Sequence, residues 1–173
     1  MTMEKCCIIT GSFDPVTAGH IDLFVRAAAI FDEVFVVILT NGKKNSAGSG
    51  LFTYEERLEI LQAAIEELRE KGIGNVTAEL YTGLTSDYAH EKGAKFIVRG
   101  ARNASDFDYE NSLAQIMRRF DPELETVILT SAPALSCVSS TYVRELLRYH
   151  CPIGDAIPPK TAIVVQNIYK RHG

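Results

Sequence analysis

The apolar positions of this chain fall into short continuous runs that alternate with segments of helical period. Cys6-Cys7-Ile8-Ile9 and the runs at 34–40, 76–81, 96–98 and 126–130 are brief and rich in β-branched residues. Strands buried on both faces of a parallel sheet have this pattern. After the first run, Ile21, Phe24, Val25 and Ala28 recur at the spacing of an amphipathic helix. Thr53 and Glu56 stand in capping-box register, Leu58, Leu61, Ile65 and Leu68 form the stripe behind them, and Gly72 closes the helix. Ser105 is expected to open a helix carrying Phe107, Leu113, Ile116 and Met117. Ser139 is expected to open another with Val143, Leu146 and Leu147, stopped by Pro152. A last helix is expected after Pro158-Pro159, running toward Arg171.

This alternation predicts an α/β fold: a doubly wound, Rossmann-like, five-stranded parallel sheet with helices on both faces, in a single domain over 1–173. The stretch 41–50, rich in Gly, Ser, Asn and Lys, reads as a mobile loop.

Composition narrows the functional classes. A formal charge of −4 argues against sequence-independent nucleic-acid binding, which needs a basic face. A phosphorylated small molecule needs only a few converging cations. No apolar stretch approaches the roughly 20 residues of a membrane span, and no secretory signal is visible, so a cytoplasmic protein is expected. Cys6, Cys7, Cys137 and Cys151 lack metal-ligand spacing and read as small core residues. Cys6 and Cys7 should point to opposite faces of a strand.

The chemistry concentrates in polar segments that follow strands. Gly11-Ser12-Phe13-Asp14-Pro15-Val16-Thr17-Ala18-Gly19-His20 joins the first strand to the first helix, a geometry that aims backbone N–H groups and a helix dipole at a phosphate. His20, in the first turn of that helix, is expected to hydrogen-bond an anion and to gain charge as negative charge builds up. Lys43-Lys44 follows the second strand, Arg99-Gly100-Ala101-Arg102 the fourth, and Ser139-Ser140-Thr141 the fifth. If the first and fourth strands are neighbours, these motifs meet at one switch-point crevice. Such an inventory suits an electrostatic clamp for phosphoryl chemistry. Walker A and G-x-G-x-x-G sequences are absent, which disfavours P-loop kinases and dinucleotide-dependent dehydrogenases.

The Thr-x-Gly-His ending resembles the signature of the nucleotidyltransferase superfamily. Together with Phe-Thr-x-Glu-Glu-Arg at 52–57, Arg-Gly-x-Arg-x-x-x-Asp-Phe-x-Tyr-Glu at 99–110 and Ser-Ser-Thr at 139–141, the chain is similar to bacterial phosphopantetheine adenylyltransferases over roughly residues 5 to 150. The resemblance implies adenylyl transfer from ATP to 4′-phosphopantetheine with Mg²⁺, giving dephospho-coenzyme A and pyrophosphate, in a cytoplasmic homohexamer. It implies that Ser12 and Phe13 contact substrate and ATP, and that His20 holds the ATP phosphates and stabilises the transition state. Lys44 and Arg99 would grip the phosphate of phosphopantetheine, with Thr85 lining the same pocket. Gly100, Ala101, Arg102 and Glu110 would bind the nucleotide. Leu135, Ser136, Cys137, Val138, Ser139, Ser140 and Thr141 would wrap adenine and phosphates.

This chain carries about six extra residues after Lys44, so the functional lysine is Lys43 or Lys44; counting from the strand favours Lys44. A nicotinate mononucleotide adenylyltransferase, which Ser-Ser-Thr-x-Val-Arg at 139–144 also suits, and an inactive nucleotide-binding module are the competing readings.

Overall fold

A computed structural model describes residues 5–40 and 50–172. Five strands run through it: β1 Cys6–Thr10, β2 Glu33–Thr40, β3 Val76–Thr82, β4 Phe96–Ala101 and β5 Glu125–Thr130. They form one parallel sheet in the order β3-β2-β1-β4-β5. The helices are α1 Ala18–Ala28, α2 Tyr54–Glu70, α3 Thr85–Glu91, α4 Ala104–Phe120, α5 Ser140–Arg148 and α6 Pro159–Lys170. The Rossmann-like α/β arrangement follows from the strand–helix alternation, because parallel neighbours need a crossover and a helix is the usual one.

The sheet buries both faces. Cys7, Ile9, Val34, Val36 and Ile38 pack with residues of α1, α2, α5 and α6, while Cys6, Ile8, Val37 and Ile97 meet Tyr88 and Ala89 of α3 on the other side. Cys6 and Cys7 therefore point to opposite faces, as a strand requires. Burial, and then the neighbouring Cys6, push the Cys7 thiol up to about 12, so it is an inert core group. Cys137 and Cys151 depart from expectation: both are exposed, since they lie on the connections before and after α5 rather than on a core-facing position.

Three further differences concern elements. The side chain that caps α4 is Asn103, accepting from Asp106 N at 2.9 Å; Ser105 lies within the first turn. Pro159 is the first residue of α6, where a missing N–H costs nothing. The seven-residue α3 crosses from β3 to β4 and is absent from the helices expected from the apolar pattern.

The helix α4 is unusual in that none of its residues is buried, although its sequence carries an apolar stripe. Phe107, Ile116 and Phe120 are exposed, Phe120 at 79%. The edge strand β5 beside it has no buried residue either.

One departure from regular pairing opens the middle of the sheet. The β1 and β4 strands pair only through Cys7 with Phe96 and Ile8 with Ile97. Every other neighbouring pair holds five or more partners in register. Beyond Ile8 and Ile97 the two strands part, at the point where the winding of the sheet reverses.

Candidate active site

The parting of β1 and β4 opens a crevice of about 470 Å³ at their carboxyl ends. The turn after β1 contributes Gly11, Ser12, Phe13, Thr17 and His20. Thr17 caps α1 in extended conformation, and His20 occupies the third helical position, where a capping box usually places Glu or Gln. The Thr17 backbone N–H donates to His20 Nδ1 at 3.0 Å, and the Thr17 hydroxyl lies 3.0 Å from the same nitrogen. With its one lone pair so engaged, the neutral ring carries its proton on Nε2.

Burial, and then the positive charge of Arg102, lower the His20 pKa to about 4. In the free protein the ring is therefore neutral, since protonating Nδ1 would break the Thr17 bond. The ring is a neutral N–H donor, and its engaged Nδ1 leaves it no role as a base.

Phe13 supports that ring. Its backbone is left-handed, at φ 42°, and its side chain is 2% exposed. The Phe13 ring meets His20 edge-on at a centroid distance of 5.1 Å and Phe24 at 5.7 Å. Gly11 is required beneath it, because a Cβ there would stand 2.7 Å from Phe13 Cζ.

On the other lip, Arg99 leaves β4 and forks onto Glu110, with Nε at 2.6 Å and Nη2 at 3.2 Å. Its Nη1 donates across the crevice floor to the Thr10 carbonyl at 3.0 Å and hydroxyl at 2.7 Å. Arg102 is held by Asp106 at 2.9 Å. Ser139 caps α5 by accepting from Tyr142 N at 3.1 Å, and Ser140 donates to the Pro15 carbonyl at 2.8 Å. The amino-terminal ends of α1 and α5 thus border the same space.

Of the residues singled out from sequence, Ser12, Phe13, His20, Arg99, Gly100, Arg102, Glu110, Val138, Ser139, Ser140 and Thr141 line this crevice. Ala101 is buried beside it, and Leu135, Ser136 and Cys137 lie on the connection before α5 without lining it. Thr85 opens α3 beyond β3, two strands from β1, and does not line it either. Lys43 and Lys44 lie outside the described residues.

Sequence reasoning missed Asp22, Arg26, Tyr109 and Arg144, which also line the crevice. Asp22 and Arg26 lie one turn apart on a shared face of α1, at i and i+4, a pairing signal available in their spacing.

The carboxylates at the crevice do not form a metal cradle. Asp22, Asp106 and Glu110 are taken by Arg26, Arg102 and Arg99 respectively. Among the described residues no group of three His, Cys, Asp or Glu is placed to hold a metal ion. What the site presents is cations, N–H donors and helix ends, which lower the barrier to bringing anions together.

Residues 8–146 match the family described as cytidylyltransferase-like. A phosphopantetheine adenylyltransferase of Shouchella clausii is 41% identical over 96% of this chain and 99% of its own. Those of Lachnoclostridium phytofermentans and Desulforudis audaxviator are 39% and 37% identical over 97% and 98% of this chain, and 96% and 98% of their own. Among solved structures, a putative nicotinate-nucleotide adenylyltransferase of Vibrio parahaemolyticus superposes with a TM-score of 0.64. It is 16% identical, over 94% of this chain and 99% of its own. A bifunctional NMN adenylyltransferase/ADP ribose pyrophosphatase of Francisella tularensis gives 0.67 at 15% identity, over 98% of this chain and 49% of its own. At those identities the two structures speak to the fold alone.

Proposed function

The chain belongs to the cytidylyltransferase-like family and, within it, to the phosphopantetheine adenylyltransferases, and on that premise we propose how its crevice transfers an adenylyl group. A phosphate oxygen of 4′-phosphopantetheine attacks the α-phosphorus of ATP in line. The bond to the β-phosphate oxygen breaks, and dephospho-coenzyme A and pyrophosphate leave. A phosphate dianion is already a nucleophile, so the step needs no base. The main barrier is the approach of two anions, and positioned donors and cations reduce it.

The observation that carries this reading is the convergence of His20, Arg99, Arg102 and the ends of α1 and α5 on one crevice. The His20 Nε2–H is the donor to the α-phosphate as its charge grows. Arg99, with Lys44, holds the acceptor phosphate, and Thr85 serves the acceptor from beyond β3. Ser12, Phe13, Gly100, Ala101, Arg102, Glu110 and the 135–141 segment hold the nucleotide. Mg²⁺ would be held by the triphosphate rather than by the protein, because the crevice carboxylates are committed to arginines.

A cytoplasmic setting and a homohexameric assembly belong to the same reading. Among the described residues, no helix is long and apolar enough to cross a membrane. The uncovered apolar residues of α4 supply a surface for association between copies.

The test is pyrophosphate release from ATP with 4′-phosphopantetheine and nicotinate mononucleotide offered in parallel. Release with the first acceptor alone is expected. Release with the second alone, or with neither, overturns the assignment.

A further inference from the structure

Asp14 is a carboxylate buried to 4% exposure, and the chemistry of adenylyl transfer leaves it without a task. Its Oδ2 accepts from Leu51 N and its Oδ1 from Phe52 N, each at 3.0 Å. Arg57 of α2 lies 3.3 Å from Oδ1 through Nε, and that nitrogen also donates to the Phe52 carbonyl at 2.8 Å. From α5, Arg144 donates to the Asp14 carbonyl at 2.7 Å and stands 3.7 Å from Oδ2. Gly50 is packed so closely against this pair that a Cβ there would overlap Asp14 Oδ2 and Arg57 Nη2.

Three separate parts of the chain are thereby tied to one side chain. The tied turn is the one that governs His20. Phe13, immediately before Asp14, packs edge-on against the imidazole. Thr17, three residues after it, donates the hydrogen bond that fixes the ring tautomer. A shift of this turn by a fraction of an ångström misaims the Nε2–H, and catalytic groups are sensitive to such errors.

We propose that Asp14, locked by Arg57 and Arg144, is a positioning residue that orients His20 toward the reacting phosphate. The inference rests on the adenylyl-transfer reading for its kinetic test, but not for its spectroscopic one. It also assigns work to a buried ion pair, whose net worth to stability alone is often small.

The kinetic test is a double-mutant cycle of Asp14→Asn and His20→Ala. Asp14→Asn should lower kcat about tenfold or more in the wild-type background, with both KM values within about threefold. In the His20→Ala background the same change should lower kcat less than about threefold, because the group it orients is gone. Equal losses in both backgrounds, or a wild-type kcat changed less than about twofold, overturn the proposal. Should Asp14→Asn fold poorly, Arg57→Lys is taken through the same cycle; it keeps the charge and loses the planar fork.

Ring-nitrogen NMR of His20 provides the second readout. The wild-type protein should show a single Nε2–H tautomer, and Asp14→Asn should keep it while the Nε2 and Hε2 resonances shift as the ring is re-aimed; resonances unchanged from wild type overturn the proposal. A wild-type protein that does not use 4′-phosphopantetheine would sink the functional reading, while the NMR result still decides the role of Asp14.

Discussion

Thr17 and His20 are joined so that a backbone N–H decides which ring nitrogen keeps its proton: Thr17 N donates to Nδ1 at 3.0 Å, and Nε2 is left as the donor. A main-chain donor cannot be removed by replacing the Thr17 side chain, so the tautomer is built into the helix start. An uncharged N–H of this kind is a donor that can meet developing negative charge without a proton being transferred.

The first prediction concerns pH. With the folded pKa lowered to about 4 from an ordinary 6.5, His20 stays neutral from pH 6 to 9 in the free enzyme, and its titration should leave no inflection in kcat/KM over that range. Below pH 6.5 the unfolded chain takes up the proton first. The stability that neutral His20 contributes is therefore complete above 6.5 and lost as pH falls toward 4. A ring titration followed by NMR checks the first statement, and unfolding midpoints of wild type and His20→Ala across pH 4–7 check the second. A His20 midpoint near 6.5 would be incompatible with both.

Replacing His20 by Ala should lower kcat by about 10²-fold or more, the scale of one lost donor to developing charge, while nucleotide binding by calorimetry weakens far less. Turnover within about tenfold of wild type would remove His20 from the transition state.

Gly11→Ala tests the support beneath the imidazole. The new methyl would stand 2.7 Å from Phe13 Cζ and 2.9 Å from Cε1, so the ring must move, and it moves in contact with His20. Overpacking of this kind costs about 1–3 kcal/mol. A lower melting temperature is expected, with a fall in kcat that exceeds any change in KM. Full kcat in the variant would mean that Phe13 does not set the position of His20.

Lys44→Ala should raise KM for phosphopantetheine about tenfold or more and KM for ATP much less, as expected for one charge-assisted contact to the acceptor. Lys43→Ala should do little. If Lys43 dominates instead, the register through the extra residues is off by one.

Ile116→Glu combined with Phe120→Glu should shift sedimentation toward smaller species at micromolar protein, because each places charge on the uncovered side of α4. Unchanged sedimentation would move the association surface elsewhere.

What the sequence discloses is uneven, and for physical reasons. The turn from Gly11 to His20 is legible because its distinctive residues fall in one unbroken stretch of the chain. Arg144 and Asp14 are not, since their pairing spans 130 residues and leaves no mark on either segment. The short α3 escapes notice because Tyr88 and Ala89, its only buried residues, are adjacent and make no periodic stripe. The stripe on α4 is visible but ambiguous: period alone says that a face is apolar, not whether its own sheet covers it.

The parted strands have a consequence for how binding is felt. Where β1 and β4 separate, the Thr10 carbonyl is met by the Arg99 guanidinium instead of a neighbouring strand's amide. A side chain has taken over a splice that backbone would otherwise make. The two halves of the sheet are therefore joined by backbone pairing as far as Ile8 and Ile97 and clasped at their far ends by Arg99. A ligand that draws Arg99 toward its own phosphate loosens that clasp, and one that reaches both lips takes its place. A ligand phosphate reaching this lip would thus compete with a main-chain carbonyl of the neighbouring strand for the same guanidinium nitrogen, Arg99 Nη1.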